Sequence, residues 1–412
     1  MIRRDFLGSM GCSALAGFAA CGCSSTGGNN TRHLVATPEA RAEYLARMLK
    51  RLCTDIGPHT SGTPAYDKAA EIIKADLEPS LPSVELDRYT FEKWEASGEQ
   101  VCRLGDREIE IFADHGSSST PEDGLNGIVV KPGSGTPYSI IDKKTGETLA
   151  NVRVSSYGAA VPSFVGTKNI RCLPRVCIGK QDVPLMDTAV ENKSPVYIKA
   201  LSGFTPEATS SSVVGILPGN SKNEIIILAH ADTVYSAPGA NDNTASMLVM
   251  LMLAHAFSGT TPELTMTFVA TGSEEYGLLG AYHYAERRKQ EGTLNNIRYL
   301  INYDSLTYGP DLQITTTDNE LVSIFKDIHT MPGIIGTLKF TDSKGFVLDG
   351  LPFDESGARA INVNSRGYNE ETLHLWHSPL DTAETVHVDC VENSFLVFKE
   401  YLDRIMKMES SA

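Results

Sequence analysis

The sequence predicts an α/β fold with a mainly parallel, mixed sheet flanked by helices. A β-rich unit is inserted into this fold, before most of the strands of the sheet. Two observations support this prediction. From Val213 onward, apolar runs of strand length alternate with helix-like segments, and several runs are apolar on both faces, as in strands that helices cover on two sides. From about residue 95 to 209 the chain instead shows short β-like runs separated by Gly, Pro, Ser and Asn, with no long amphipathic helix.

The size and charge of the chain limit the classes of protein to consider. Its 412 residues suffice for two or three domains, or for one large α/β domain with an insertion. The 51 acidic residues outnumber the 36 Lys and Arg, and the net charge of −15 argues against nucleic-acid binding, because phosphates are held by clustered basic side chains. A hydrophobic fraction of 41% with 21% charged residues is typical of a soluble globular protein.

The amino-terminal segment has the composition of an export signal. Two arginines precede an almost uncharged run, residues 6–20, which is too short to span a bilayer. We expect residues 1–20 to be a signal peptide similar to twin-arginine signals, and residues 21–32 to be a flexible tether. Phe18–Cys21 resembles a bacterial lipobox, so Cys21 is a candidate lipid anchor, and a cleaved signal without a lipid is the alternative. The expected location is outside the bacterial cytoplasm, in the cell envelope or secreted.

Two amphipathic helices are predicted before the β-rich unit. Thr37 followed by Pro38 is typical of a helix start, with a capping side chain and proline at the first helical position. Apolar residues at helical spacing then predict the core-facing sides, which are Leu45, Met48, Leu49 and Leu52 in the first helix and Tyr66, Ala69, Ala70, Ile73 and Leu77 in the second. We assign residues 33–94 and 210–412 to one domain and residues 95–209 to the inserted unit.

The remaining elements follow from runs of apolar residues. In the inserted unit the β-like runs are 108–112, 127–130, 152–154 and 196–198. After it, predicted strands at 224–228, 264–270 and 299–303 alternate with predicted helices at 247–253 and 278–288, and a closing helix extends from Val391 to Ile405. Strands that alternate with helices in this way predict parallel neighbours covered on both faces.

Polar side chains that core packing does not explain follow the predicted strands. They are His230 and Asp232, Asp242 in the next loop, Glu274 and Glu275, Asp304, and His377 in a late loop. In open α/β sheets, ligands bind at the carboxyl ends of the strands. Crowded carboxylates raise each other's pKa unless cations neutralise them, and His nitrogen with carboxylate oxygen suits Zn²⁺. The sequence therefore predicts a metal site, with ligands enough for two zinc ions roughly 3.5–4 Å apart.

This order of motifs resembles the exported co-catalytic di-zinc exopeptidases, which include bacterial leucyl aminopeptidases and glutamate carboxypeptidases. Their signature of His-x-Asp, Gly-Ala-x-Asp-Asn, Glu-Glu, a later Asp and a final His-Ser-Pro-x-Asp-Thr corresponds to residues 230–232, 239–243, 274–275, 304 and 377–382. The resemblance implies a phosphorylase/hydrolase-like sheet, peptide substrates and two zinc ions. It also implies that the β-rich unit is similar to a protease-associated domain.

The resemblance further implies a role for each residue. Asp242 would bridge the two zinc ions, with His230 and Asp304 on one and Glu275 and His377 on the other. Glu274 would be the general base that takes a proton from the attacking water and passes it to the leaving amine. Asp232 would accept the second ring N–H of His230, and Tyr368 is a candidate donor to the oxyanion. His374 is not expected to be a ligand, because a spacing of three in a strand or loop points it away from His377.

Several alternatives remain at this stage. An aminopeptidase is favoured over a carboxypeptidase or dipeptidase of the same fold, and a non-catalytic, receptor-like homologue is the alternative from another class. A second di-zinc clan usually has a much longer step than the 12 residues from His230 to Asp242. Glutaminyl cyclases share the fold and use a single zinc, and the presence of both His230 and Asp304 points away from them. Cys172 and Cys177 are near enough in sequence to pair, and no Cys-x-x-Cys pair predicts a thiolate zinc site.

Overall fold

The computed structural model describes residues 31–156, 158–342, 348–365 and 374–411. All fourteen strands in these residues belong to one mixed sheet. The strands are β1 (Ser83–Leu104), β2 (Arg107–Ile109), β3 (Ile111–Ala113), β4 (Leu125–Val130), β5 (Tyr138–Ile141), β6 (Thr148–Val154), β7 (Arg175–Ile178), β8 (Pro195–Leu217), β9 (Ser221–His230), β10 (Leu264–Thr271), β11 (Ile297–Tyr303), β12 (Leu312–Thr315), β13 (Leu338–Thr341) and β14 (Arg359–Asn364). The predicted signal peptide, Cys21 and Tyr368 lie outside the described residues.

The described residues also contain seven α-helices and several short helical turns. The helices are α1 (Pro38–Leu49), α2 (Pro64–Leu77), α3 (Val183–Asn192), α4 (Ala245–Phe257), α5 (Leu279–Gln290), α6 (Asn319–Ile328) and α7 (Val388–Glu409). Short 3₁₀ turns span Thr31–Val35, Thr167–Asn169, Lys180–Asp182, Leu294–Asn296, Leu351–Ser356 and Ala383–Thr385, and π-helical turns span Lys50–Thr54 and Ala240–Thr244. Within the part of the chain that the structure describes, no helix is both long and apolar enough to cross a bilayer.

The first two helices begin in the same way. The side chain of Thr37 accepts the backbone N–H of Ala40 at the start of α1, and Thr63 does the same for Tyr66 at the start of α2. Each cap is followed by proline, whose missing N–H costs nothing in the first turn. The structure thus confirms the helix start predicted at Thr37.

The carboxyl-terminal half of the sheet confirms the predicted, mainly parallel arrangement. Strands β14, β11, β9 and β10 lie side by side in this order, and all three pairs are parallel. The chain passes from β9 to β10 on one side and then returns to β11 on the other side of β9. Alternate residues of β9 pack with α4 on one face and with α5 on the other, so β9 is buried on both faces. A reversal of strand order of this kind is where such sheets bind ligands.

The β-rich segment, which comprises residues 95–209, is continuous with this sheet. The 22-residue strand β1 and the 23-residue strand β8 pair antiparallel along nearly their whole length, and β8 also pairs with β10 at one end and β4 at the other. A second hydrophobic core lies mostly in this segment and includes Val129 and Ile198, with Trp94 and Tyr276 contributed from outside it. The ten-residue helix α3 was not predicted there. Both boundaries expected from the sequence, near 94 and 209, fall inside long strands.

The cysteines of the described residues are unpaired. Cys53, Cys102, Cys172, Cys177 and Cys390 are all free thiols, so the pairing considered for Cys172 and Cys177 does not occur in this structure. Cys177 is fully buried within β7, whereas Cys172 lies in the preceding loop and is partly exposed.

Candidate active site

Three adjacent strand ends bring the predicted residues together. β9 ends at His230, whose register partner on β10 is Thr271, and the two glutamates follow β10 by three and four residues. On the other side of β9, Tyr303 is the last residue of β11, and Asp304 comes next. Because these strands are parallel neighbours, their carboxyl ends meet at one edge of the sheet.

The loop that carries Asp242 requires a glycine at its start. Gly239 has φ +65°, and a Cβ atom there would lie 2.4 Å from Cγ2 of Thr233 and 2.6 Å from the backbone oxygen of Asp242. A side chain would therefore meet both an unfavourable backbone conformation and a backbone atom that cannot move aside cheaply. The peptide between Asp242 and Asn243 is cis.

Two side chains hold this loop in place. The buried carboxylate of Asp381 accepts the backbone N–H groups of Asn241, at 2.8 Å, and Asp242, at 3.0 Å. Asn243 donates from Nδ2 to the carbonyl oxygen of Tyr303 and accepts the N–H of Ser305. The loop is thereby joined both to the late loop of the chain and to the end of β11.

Asp242 lies between the two predicted histidine ligands. Its Oδ1 is 3.3 Å from Nε2 of His230, and its Oδ2 is 3.6 Å from Nε2 of His377. Nε2 of His377 is also 3.2 Å from Oε2 of Glu275. Each oxygen of one carboxylate thus faces a different imidazole, which is the arrangement expected of a bridging ligand.

Both imidazoles are oriented through their other ring nitrogen. Nδ1 of His230 lies 3.0 Å from the backbone oxygen of Asp232, and Nδ1 of His377 lies 2.8 Å from the backbone oxygen of Pro162. A carbonyl oxygen only accepts, so Nδ1 carries the hydrogen in both rings, and Nε2 is left to bind a metal. Pro162 belongs to the β-rich segment, which therefore contributes directly to this site.

Two groups of three residues could each hold a metal ion. The first group is His230, Asp242 and Asp304, and the second is Asp242, Glu275 and His377, with the ligand atoms of each group within 4.8 Å of one another. All five residues are buried. A third group of this size contains His230, Glu274 and Glu275. The structure thus brings together every metal ligand predicted from the sequence, and the donor set of imidazole nitrogen and carboxylate oxygen fits zinc.

The electrostatics of the site reflect crowded carboxylates. Burial raises the pKa of Glu274 well above its usual range, and Glu275 and Asp304 raise it further. Burial by itself would lower the pKa of His230, but the carboxylates of Glu274 and Asp242 raise it well above the usual value. Four carboxylates around two imidazoles leave an excess of negative charge, which divalent cations neutralise.

The contacts of Asp232 differ from the prediction. Its carboxylate was expected to accept the ring N–H of His230, but Oδ1 is 3.8 Å from Nδ1, and the backbone oxygen of Asp232 makes that contact instead. Oδ1 accepts the backbone N–H of Glu274 at 3.0 Å. Burial raises the pKa of Asp232 to about 7. Asp232 therefore positions both His230 and Glu274, one through its backbone and the other through its side chain.

Glu274 is the most accessible of the six residues in these groups, because the other five are buried. Its side chain is 17% exposed, compared with 3% for Asp242 and 2% for His230. It lines a cavity of about 340 Å³ together with Asp242, Glu275, Asp304 and His377. Phe164 and Trp376 are among the apolar residues of the same cavity. A substrate in this cavity would meet Glu274 beside the metal ligands.

Sequence reasoning missed two carboxylates near the site. Asp349 is 1% exposed and accepts a hydrogen bond from Thr271 Oγ1 at the end of β10, and burial raises its pKa to about 6. Asp381 lies in the late-loop motif, but its support of the Asp242 loop is visible only in three dimensions. His374 is exposed and belongs to none of the candidate metal groups found in the described residues.

The fold and the site together define a metal-dependent hydrolase with its centre at a strand-order reversal of an α/β sheet. Residues 212–402, which include every predicted metal ligand, match the model of peptidase family M28. This match supports the enzyme class that the sequence predicted, a metallopeptidase. That prediction came from the order of the motifs between residues 230 and 382.

Known proteins with similar sequences or structures cover most of the chain. Aminopeptidase YwaD of Bacillus subtilis is 25% identical over 373 residues, which are 84% of this chain and 81% of that protein. Carboxypeptidase Q of Rattus norvegicus is 24% identical over 353 residues, 74% of each chain. The structure of BSAP, a zinc aminopeptidase from Bacillus subtilis, superposes with a TM-score of 0.69 at 22% identity and covers 88% of this chain and 95% of that one. That likeness confirms the predicted fold class.

Proposed function

We propose that the protein is a two-zinc aminopeptidase that removes amino-terminal residues from peptides outside the cytoplasm. The observation that carries the proposal is the carboxylate of Asp242, whose two oxygens each face one histidine. The similarity to YwaD and to a structure described as a zinc aminopeptidase supports the same activity.

The described residues supply two sets of ligands that share one carboxylate. His230 and Asp304 would complete one zinc site, and Glu275 and His377 the other, with Asp242 common to both. When bound, the zinc ions would polarise the scissile carbonyl and make the attacking water more acidic. The backbone oxygens of Asp232 and Pro162 hold the two imidazoles with Nε2 directed to the site.

Glu274 is the proposed general base. Its carboxylate faces the cavity, and its Oε2 lies 4.0 Å from Nε2 of His230, so it is next to the ligands without belonging to either shared set. It would take the proton of the attacking water and deliver it to the amine that leaves. Asp232 fixes the backbone of Glu274 and so positions this transfer.

The cavity offers no basic side chain to pair a substrate carboxylate. None of the described residues that line it is Lys or Arg, and its four carboxylic acids are those assigned to the zinc ions and to the general base. A carboxypeptidase has to pair the carboxylate of its substrate terminus, usually with a basic side chain. Carboxypeptidase action is nevertheless the second candidate, because the match to carboxypeptidase Q covers 74% of the chain.

The location and domain limits belong to the same proposal. Export through residues 1–20, attachment through Cys21 and a tether over 21–32 are proposed from the sequence, and residues 95–209 are proposed as a protease-associated-like insertion. Labelling cells with a palmitate analogue tests the anchor. A label that persists in Cys21→Ala would contradict it.

The catalytic proposal is tested with metal analysis and a substrate panel. We expect about two zinc ions per chain, cleavage of aminoacyl chromogenic substrates, and no cleavage of amino-blocked peptides. Glu274→Gln should retain zinc and lose at least about 100-fold in kcat, and the exposed Glu99→Gln serves as control. Full turnover by Glu274→Gln would refute the assigned base, and release of carboxyl-terminal residues from blocked peptides would favour carboxypeptidase action.

A further inference from the structure

A second cavity, of about 370 Å³, lies between the β-rich segment and the metal centre. Six ring-bearing side chains that line it define what we call the aromatic chamber, namely Phe91, Trp94, His115, Phe164, Phe204 and Tyr276. Its volume falls in the range of roughly 300–1,000 Å³ that is typical of small-molecule sites. These residues come from β1, β8, two loops of the β-rich segment and the residues after β10.

The rings of the chamber hold one another in place. His115 stacks on Trp94 with ring centroids 4.9 Å apart and meets the rings of Tyr276 and Phe164 edge-on, at 3.8 and 5.7 Å. Trp94 donates from Nε1 to the backbone oxygen of Ser117, and the hydroxyl of Tyr276 donates to the backbone oxygen of Trp94. The chamber is therefore a preformed aromatic surface, which binds apolar groups at little ordering cost.

The chamber adjoins the metal centre through shared residues. Phe164 lines both cavities, and Tyr276 directly follows the predicted metal ligand Glu275. Gly277 has φ +91°, and a Cβ atom there would lie 2.9 Å from the ring of Phe164, so only glycine allows this close approach. The two cavities are thus neighbours that share Phe164.

One of the six ring-bearing residues has a buried polar atom without a hydrogen-bond partner. His115 is 5% exposed, and within the described residues its Nε2 makes no hydrogen bond. A buried nitrogen in this state costs free energy until a ligand or water satisfies it. Ligand pockets typically combine apolar walls with a few polar groups of this kind.

We propose that the aromatic chamber is the specificity subsite of the enzyme and that it binds a large apolar side chain of the peptide, preferably an aromatic one. This inference rests on the proposed peptidase function and deepens it. It assigns part of the selectivity to the β-rich segment, which provides the rings of His115, Phe164 and Phe204, while Phe91 and Trp94 lie in β1 just before it.

The test narrows the mouth of the chamber without touching the metal ligands. Ile170 lines the cavity and is 41% exposed, so Ile170→Trp should fold and reduce the open space. Leu173→Trp is the matched control, since Leu173 is 46% exposed in the same loop and does not line the chamber. Phe204→Ala, at a half-buried position, removes one wall and is the second test variant.

Activity is compared on zinc-loaded enzyme with Phe-Ala, Ala-Phe and Ala-Ala dipeptides. We expect wild type to prefer one of the phenylalanine peptides to Ala-Ala by at least about tenfold in kcat/KM. Ile170→Trp and Phe204→Ala should lose most of that preference, and Leu173→Trp should keep it. The same kcat/KM for all three peptides in wild type, or an unchanged preference in both chamber variants, would overturn the inference.

Binding separates this inference from the proposed function. Calorimetric titration of zinc-loaded Glu274→Gln with the same dipeptides measures affinity without turnover. Tighter binding of a phenylalanine peptide than of Ala-Ala, if Ile170→Trp abolishes it, would support the proposed subsite even if wild type cleaved none of the peptides. The absence of cleavage would refute only the proposed peptidase activity. Equal affinities for all three dipeptides would refute the chamber in a fully active enzyme.

Discussion

Removal of the Asp381 carboxylate should weaken both the fold and the metal site. This side chain is fully buried and accepts three hydrogen bonds, from the backbone N–H groups of Asn241 and Asp242 and from Nδ2 of Asn241. In Asp381→Ala these three donors lose their acceptor, although Nδ2 of Asn241 keeps a second bond to Thr385. Asp242 then loses the contact that fixes its backbone.

The size of the effect follows from the lost bonds. A buried donor without an acceptor costs about 1–3 kcal/mol, so three of them cost roughly 3–9 kcal/mol. The loss of stability should lie at the lower end of this range. Burial raises the pKa of Asp381 to about 7, so the carboxylate is itself unfavourably buried and its removal offsets part of the cost. We expect the free energy of unfolding to fall by about 3 kcal/mol and zinc affinity to fall by roughly 10–100-fold, as for other supports of metal ligands.

Urea unfolding of the metal-free protein and zinc competition with a chelator measure the two effects separately. Asp381→Asn keeps the size and one acceptor oxygen, so its losses should lie between those of wild type and Asp381→Ala. Asp123→Ala, at an exposed turn position, is the control for an acidic residue removed elsewhere. Wild-type zinc affinity and wild-type stability in Asp381→Ala would show that the loop does not depend on this carboxylate.

Three further predictions concern the loop glycine, the metal and an ion pair away from the site. Gly239→Ala should lose zinc binding and peptidase activity. Gly259→Ala is the control, because it has a similar φ of +67° and no atom within 4 Å of the added Cβ, and it should keep both zinc binding and activity. Chelation should abolish peptide cleavage, and added zinc should restore it; activity that survives chelation would contradict a metal mechanism. Arg359 holds the pKa of Asp318 below its usual range, so the stability from this pair is present above about pH 4 and lost as pH falls through the lowered pKa. Asp318→Asn should thus lower the urea-unfolding free energy by about 1–2 kcal/mol at pH 7, with the difference shrinking below pH 4, and a constant difference would contradict this explanation.

The predicted ligands were visible in the sequence because local patterns place them. His230, Glu275 and Asp304 follow apolar runs of strand length, and parallel strands bring their carboxyl ends to one edge whatever the details of packing. α4 was also recognisable, because a helix that is buried all round is apolar all round.

The supports of these ligands could not be predicted in the same way. The carbonyl of Pro162 contacts His377 across 215 residues of sequence, and a backbone oxygen has no residue-type signal. The same holds for Asp232, where the backbone rather than the carboxylate contacts His230. Asp349 follows no predicted strand, and its position beside Thr271 depends on how the late loop packs.

Residue type and local period thus identified the candidate ligands and the parallel half of the sheet, since these depend on short-range patterns that parallel α/β sheets share. The role proposed for each residue came from the resemblance of the motif order to di-zinc exopeptidases. The tertiary structure alone decided which oxygen orients each imidazole, how β1 and β8 join the β-rich segment to the catalytic sheet, and where the aromatic chamber lies. Those features depend on distances between residues far apart in the chain, and such distances follow from packing as a whole rather than from any one segment.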